Sequence, residues 1–213
     1  MSLEDIERVI EQYRRAALNA REAGFEGVEL HCTSGYLPMQ FMASGSNQRS
    51  DAYGGAVANR VRFQPGAGRD GSGNRLGACG VSACALGNPY NDISDADPAA
   101  TAQALCEQVE PLGLAYLHIM RSPLAALDAF AMARSHSSSG LILNDGFDGP
   151  SAAAAIEAGQ GAAVSFARHF IGNPDLVERL RAGLPLAGFD RKTLYTKGSP
   201  GYSDYPTHAQ ATA

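Results

Sequence analysis

The amino-acid sequence predicts an α/β protein built on parallel strands. Three observations carry this. Short apolar runs at Gly27–His31, Ala115–Ile119, Leu141–Asn144 and Ala163–Phe166 read as buried strands. Segments of helical period stand between them, entered through Ser, Asp or Pro and stopped by Gly. The connections are long enough for the crossovers that parallel strands require.

Each element follows in order. Ser2 is a natural N-cap with Asp5 three residues on, and Ile6, Val9, Ile10, Tyr13, Ala16, Ala17 and Ala20 recur at helical spacing until Gly24. The run FEGVELH is a strand that feeds a loop. From Asp97, a cap followed by Pro98, DPAATAQALCEQVEPLG is a helix. LAYLHIM is a strand, SPLAALDAFAMARSH (122–136) a helix, and GLILN a strand. GPSAAAAIEAG is a helix, AAVSFA a strand, and NPDLVERLRAG a helix with an Asn-Pro start. We expect one domain over residues 1–206 and a disordered tail over 207–213.

Composition excludes several classes. The 213 residues suffice for one domain core, and the formal net charge of −5 shows no basic patch for nucleic acid or anionic membrane. No apolar run approaches the ~20 residues of a spanning helix. The start MSLEDIERVIEQ is acidic and amphipathic, unlike a secretory signal. Cys32, Cys79, Cys84 and Cys106 follow neither metal nor disulfide-framework spacing. A reduced, cytoplasmic setting is expected.

Residues 64–86, QPGAGRDGSGNRLGACGVSACAL, break the α/β grammar. They are glycine-rich and have no strand or helix period. GAGRDG at 66–71 matches the G-x-G-x-x-G of dinucleotide-binding turns. That fingerprint needs a strand before it and a helix after it, and here a helix precedes and a patternless run follows.

The most informative stretch is GFEGVELHCTSGYLPMQFMASGSNQRSDAYGGAVANRVRF, residues 24–63. It resembles the Old Yellow Enzyme family of FMN-dependent ene-reductases, whose pattern reads G-F-D/E-G-V-E-I/L-H, then H/N-G-Y-L, Q-F, N-x-R-x-D-x-Y-G-G and N-R-x-R-F. FARHFIGNPDLVERLRAGLPL and DRKTLYTKGSPGYSDYP resemble the family's last strand, following helix and closing loop. The likeness covers residues 3–63 and 87–206, within N-ethylmaleimide and 12-oxophytodienoate reductase-like members.

The resemblance implies a (β/α)8 TIM barrel with FMN at the C-terminal strand ends. It implies hydride transfer from reduced flavin to an alkene conjugated to a carbonyl or nitro group, with NADPH or NADH as reductant. His31 would donate a hydrogen bond to the substrate oxygen, where charge grows during hydride attack. Tyr36 would deliver the proton. Ser34 stands where the family has His or Asn as second donor, and its side chain is shorter. LILNDGFDG resembles the turn whose amides meet the FMN phosphate, with Asp145 in place of a glycine and Gly146 retained. Arg168 would pair with the phosphate, and Ala167 replaces a glycine beside it. Tyr195 would shape the mouth of the site.

By the same resemblance the TIM barrel is incomplete. Strands 4 and 6–8 are recognisable and strands 1–3 are absent. The strand 5 region is aberrant, because the family's R-V/I-G-V/I-R-L/V-S-P, whose second arginine meets the flavin, is not found. A G/C-rich coding guess for R-V-G-V-R-L, read one nucleotide later, yields V-S-A-C-A, the sequence of Val81–Ala85. Residues 64–86 are therefore read as a candidate shifted frame, a hypothesis that an open, unshifted transcript would overturn. Two functions stay open: an FMN- and NAD(P)H-dependent ene-reductase, or a non-catalytic remnant unable to hold flavin.

Overall fold

The structure, a computed structural model, describes residues 1–64, 78–83 and 93–212, with 78–83 described through their backbone pairing. The fingerprint match at 66–71 lies outside the described residues, as do most of the candidate shifted frame and Cys84. Where one domain is expected, the chain divides into two compact units, Met1–Gly146 with Ala154–Val164, and Phe147–Ala153 with Ser165–Ala213.

The first unit opens with helix α1 (Leu3–Glu22). Its start is a reciprocal box: Asp5 N–H donates to Ser2 Oγ at 3.1 Å, and Ser2 N–H donates to the Asp5 carboxylate at 3.0 Å. Gly24, at φ +93°, ends it as expected. Strand β1 (Gly27–Cys32), helix α2 (Leu37–Met42) and helix α3 (Val57–Arg60) follow. The apolar stripe of α1 is buried against this segment. Ile6 and Ile10 pack with Phe41 and Phe63, whose rings stack at 4.8 Å, while Tyr13 meets Phe63 edge-on at 5.8 Å.

Strand β2 (Ala78–Ala83) comes next, then helix α4 (Pro98–Val109), strand β3 (Tyr116–Met120), helix α5 (Ala129–His136), strand β4 (Gly140–Asn144) and strand β5 (Ala163–Ser165). The sheet order is β1-β2-β3-β4-β5, and the first three pairings are parallel. Sequential neighbours joined by helical crossovers form the repeating unit of the barrel class.

Two expectations for the first unit need correction. Residues 64–86 carry no strand period, yet β2 lies among them, paired from Gly27↔Ala78 to Cys32↔Ala83 on one side and from Gly80↔Tyr116 to Ala83↔Ile119 on the other. A parallel ladder is made by backbone N–H and C=O groups, which any non-proline run supplies once flanking strands offer the slot. The helix expected over 122–136 begins only at Ala129. Asp128 caps it, its carboxylate accepting the N–H groups of Phe130 and Ala131 at 3.1 and 3.0 Å.

Helix α6 (Gly149–Glu157) is divided between the two units. The second unit holds helix α7 (Arg168–Gly172), helix α8 (Leu176–Ala182) and helix α9 (His208–Ala211). The helix expected from Asn173 starts at Leu176, because Asn173 is buried in another role. Its Nδ2 donates to the His169 and Ala187 carbonyls at 2.8 and 3.0 Å, and its Oδ1 accepts from Ala187 N–H at 2.8 Å. Gly183, at φ +65°, stops α8. The tail expected to be disordered carries α9, boxed by Thr207 and Gln210, with His208 N–H donating to Asp175 at 2.7 Å.

Candidate active site at the strand ends

After β1 the chain must reverse direction within a few residues. It does so through Ser34 at φ +60° and Gly35 at φ +80°, and Tyr36 N–H closes the turn on the Thr33 carbonyl at 3.3 Å. Glycine adopts this backbone freely. Serine does so at a cost, because its Cβ crowds the following carbonyl.

The turn is braced from below. Gln40 Nε2 donates to the Gly35 carbonyl at 2.7 Å, and Gln64 Nε2 donates to the buried Pro38 carbonyl at 2.9 Å. Asn47, itself buried, donates to the carbonyls of Phe41 and Tyr53 at 2.6 and 2.7 Å. Arg49 pairs with Asp51, and Gly54 approaches Arg49 so closely that a Cβ there would lie 2.3 Å from its carbonyl oxygen. Deeper still, buried Arg60 reaches Asp95 at 3.4 Å and Thr101 at 3.1 Å, and Asp95 accepts from Ser44 Oγ at 2.9 Å. This framework brings His31 and Tyr36 together, ring centroids 5.3 Å apart and both exposed. Ser34 is half-buried, its Oγ 3.3 Å from Thr33 Oγ1.

Glu29 shares the His31 face of β1, two residues back. It is level with Gly80 of β2, which is level with Tyr116 of β3. Glu29 spans that glycine, accepting from Tyr116 Oη at 2.9 Å and bonding His118 Nδ1 at 3.1 Å. The next row is His31, Ser82 and His118.

At the end of β4 a second left-handed pair occurs, Asp145 at φ +71° and Gly146 at φ +74°. Arg121, just past β3, faces it. Its backbone N–H donates to the Asn144 carbonyl at 3.0 Å and its Nε donates to the Asp145 carbonyl at 3.2 Å. The guanidinium carbon sits 5.0 Å from the Phe130 ring centroid.

In the second unit, Ala167 is the N-cap position of α7 and Arg168 its first residue, both exposed. Tyr195 is 98% exposed and borders a cavity of about 380 Å³ with Phe170, Tyr202 and Tyr205. His31, Ser34, Tyr36 and Gly146 thus belong to the first unit, and Ala167, Arg168 and Tyr195 to the second. The sequence pattern left Gln40, Asn47 and Asp95 without a task. The first two stand in the quoted motif, which was the available signal. Arg121 gave none. Among the described residues no metal-binding group of His, Cys, Asp or Glu forms, and no helix is long and apolar enough to cross a membrane.

Comparison with known proteins shows the family and the fold. Residues 1–187 match the model of the NADH:flavin oxidoreductase / NADH oxidase family. A probable flavin mononucleotide-dependent alkene reductase of Leishmania infantum is 39% identical over 97% of this chain and 57% of its own length. A putative 12-oxophytodienoate reductase of Oryza sativa subsp. japonica is 35% identical over 97% of this chain and 54% of its own. Among solved structures, morphinone reductase in complex with tetrahydroNAD superposes with TM-score 0.88 at 35% identity, covering 97% of this chain and 57% of that one. The old yellow enzyme of Trypanosoma cruzi superposes with TM-score 0.89 at 33% identity, over the same shares. The chain therefore spans just over half the length of these relatives, and its fold is part of an α/β barrel.

Proposed function

This chain belongs to the NADH:flavin oxidoreductase / NADH oxidase family, and on that premise we propose that it is an FMN-dependent reductase of activated alkenes, drawing on NADPH or NADH. The observation that carries the proposal is the 5.3 Å approach of His31 and Tyr36 at a strand's C-terminal end. The substrate class is an alkene conjugated to a carbonyl or nitro group, whose oxygen gains charge during reduction. His31 donates a hydrogen bond to that oxygen. Tyr36, held beside it by the Thr33–Tyr36 turn, delivers the proton to carbon. Ser34 offers only a short hydroxyl, so His31 bears more of the oxygen's charge. For Tyr195 the family resemblance implies a role in substrate entry.

FMN, when bound, supplies the hydride. Within the first unit, the turn at Gly146 suits its phosphate end. Gly146 N–H meets no protein acceptor among the described residues, in a turn that a side chain at Gly146 would push against Arg121. Gly146 would meet the phosphate through its amide, and the family resemblance gives Arg168, next to Ala167 in the sequence, a guanidinium contact to a phosphate.

A second reading, a chain that does not retain flavin, is favoured by one observation. The chain covers 57% of the length of the flavin mononucleotide-dependent alkene reductase that it resembles. The visible spectrum of the purified chain decides between the two. A flavin band, present as isolated or after addition of FMN, supports the reductase. A chain that stays colourless overturns it. In a flavin-loaded chain, Tyr36→Phe should slow alkene reduction about 100-fold and leave flavin reduction by nicotinamide unchanged. Equal loss in both half-reactions would remove Tyr36 as proton donor.

A further inference from the structure

We propose that Arg121 is a positioning residue that fixes the Asp145–Gly146 peptide and aims the Gly146 N–H as an anion donor. The inference rests on the flavin reading above for the identity of the anion, and on geometry for the rest.

Two successive left-handed residues, one of them carrying a side chain, form a strained turn. Such a turn can relax by rotating its central peptide. Arg121 opposes that rotation, because its Nε holds the Asp145 carbonyl at 3.2 Å. The peptide is trans, so its C=O and N–H point in opposite directions. Fixing the carbonyl toward the guanidinium turns the Gly146 N–H away from it.

Arg121 is itself held at both ends. Its backbone N–H is bonded to Asn144 at 3.0 Å, and its guanidinium stands over buried Phe130 at 5.0 Å. An ideal Cβ on Gly146 would lie 3.1 Å from Arg121 Nε, so the arginine also defines one wall of the turn. Its positive charge adds a field that favours a dianion nearby and offsets the Asp145 carboxylate.

The test compares FMN with riboflavin, which lacks the phosphate, on the 213-residue chain and its variants. Arg121→Leu should weaken FMN about tenfold and leave riboflavin affinity unchanged, so that the preference for FMN falls. Arg121→Gln, which keeps a donor for the carbonyl and loses the charge, should retain much of that preference. Equal weakening of both flavins, or an unchanged FMN preference, would overturn the role.

If the wild-type chain binds neither flavin, the proposed function fails and this inference is read separately. Inorganic phosphate is then titrated while the Gly146 amide is followed by NMR. A shift seen in wild type and lost in Arg121→Leu supports Arg121 as the positioning group. A Gly146 amide unmoved by phosphate in the wild type, or moved equally in the variant, overturns it.

Discussion

The turn after β1 and the turn after β4 pass through the same unusual backbone, a non-glycine residue followed by glycine, both left-handed. They are supported differently. The first closes on its own backbone and leans on Gln40, with the buried layer of Pro38, Met39 and Phe41 beneath. The second depends on the exposed side chain of Arg121. The first turn is tied to side chains close to it in sequence, whereas the second is tied to an arginine 24 residues earlier. A position that must present side chains such as His31 and Tyr36 gains from the stiffer design. A position that presents backbone amides tolerates the lighter one.

The largest test breaks the support of the first turn. Asp95→Ala would leave Arg60 buried without its carboxylate and release Ser44. Unfolding stability should fall by about 3 kcal/mol, read as a lower urea midpoint. A loss below about 1 kcal/mol would show that the buried pair does not anchor this half of the molecule. Next, Gly146→Ala places a Cβ on a residue at φ +74° and against Arg121, and should cost about 1–2 kcal/mol. An unchanged midpoint would mean that the second turn is free to adopt another conformation.

The two strained side chains sharpen the parallel. Asp145→Gly should stabilise the chain by about 0.5 kcal/mol, relief of the left-handed cost being partly offset by glycine's freedom when unfolded. Ser34→Asn, which suits left-handed backbone better, should gain a few tenths of a kcal/mol. A loss of stability in either variant would refute the strain.

The smallest effect is in pH. Asp148, two residues beyond the second turn, has its carboxyl held below the usual aspartate range, first by Ser151 Oγ and then by Ser151 N–H. A depressed value means that this contribution is full above the ordinary aspartate pKa and fades as pH falls through the folded one. Ser151 N–H, which donates to Asp148 at 2.9 Å, should therefore lose hydrogen-exchange protection in acid, and lose it at neutral pH in Asp148→Ala. Protection independent of pH would remove the carboxylate from the cap.

Much of this layout could be read from the sequence. Strong periodicity marked α1, β3 and β4, and the Ser2 and Asp97 caps were visible in their residue types. The long motif around His31 and Tyr36 located the candidate site. What escaped depends on contacts distant in sequence. β2 was invisible because its ladder is made by backbone rather than by side-chain period. Arg121 was invisible because its partners, Asn144 and Asp145, lie on a later strand end. Gln40 and Asn47 were present in the motif, but a consensus does not distinguish a side chain that braces a carbonyl from one that meets substrate.

The Glu29 bridge across Gly80 has a consequence for how this sheet can change over generations. A carboxylate that ties the first strand to the third secures the order of both independently of the side chains of the strand between them. The residue level with both ends of the bridge is Gly80. Order in the first and third strands can therefore be kept through change in the second.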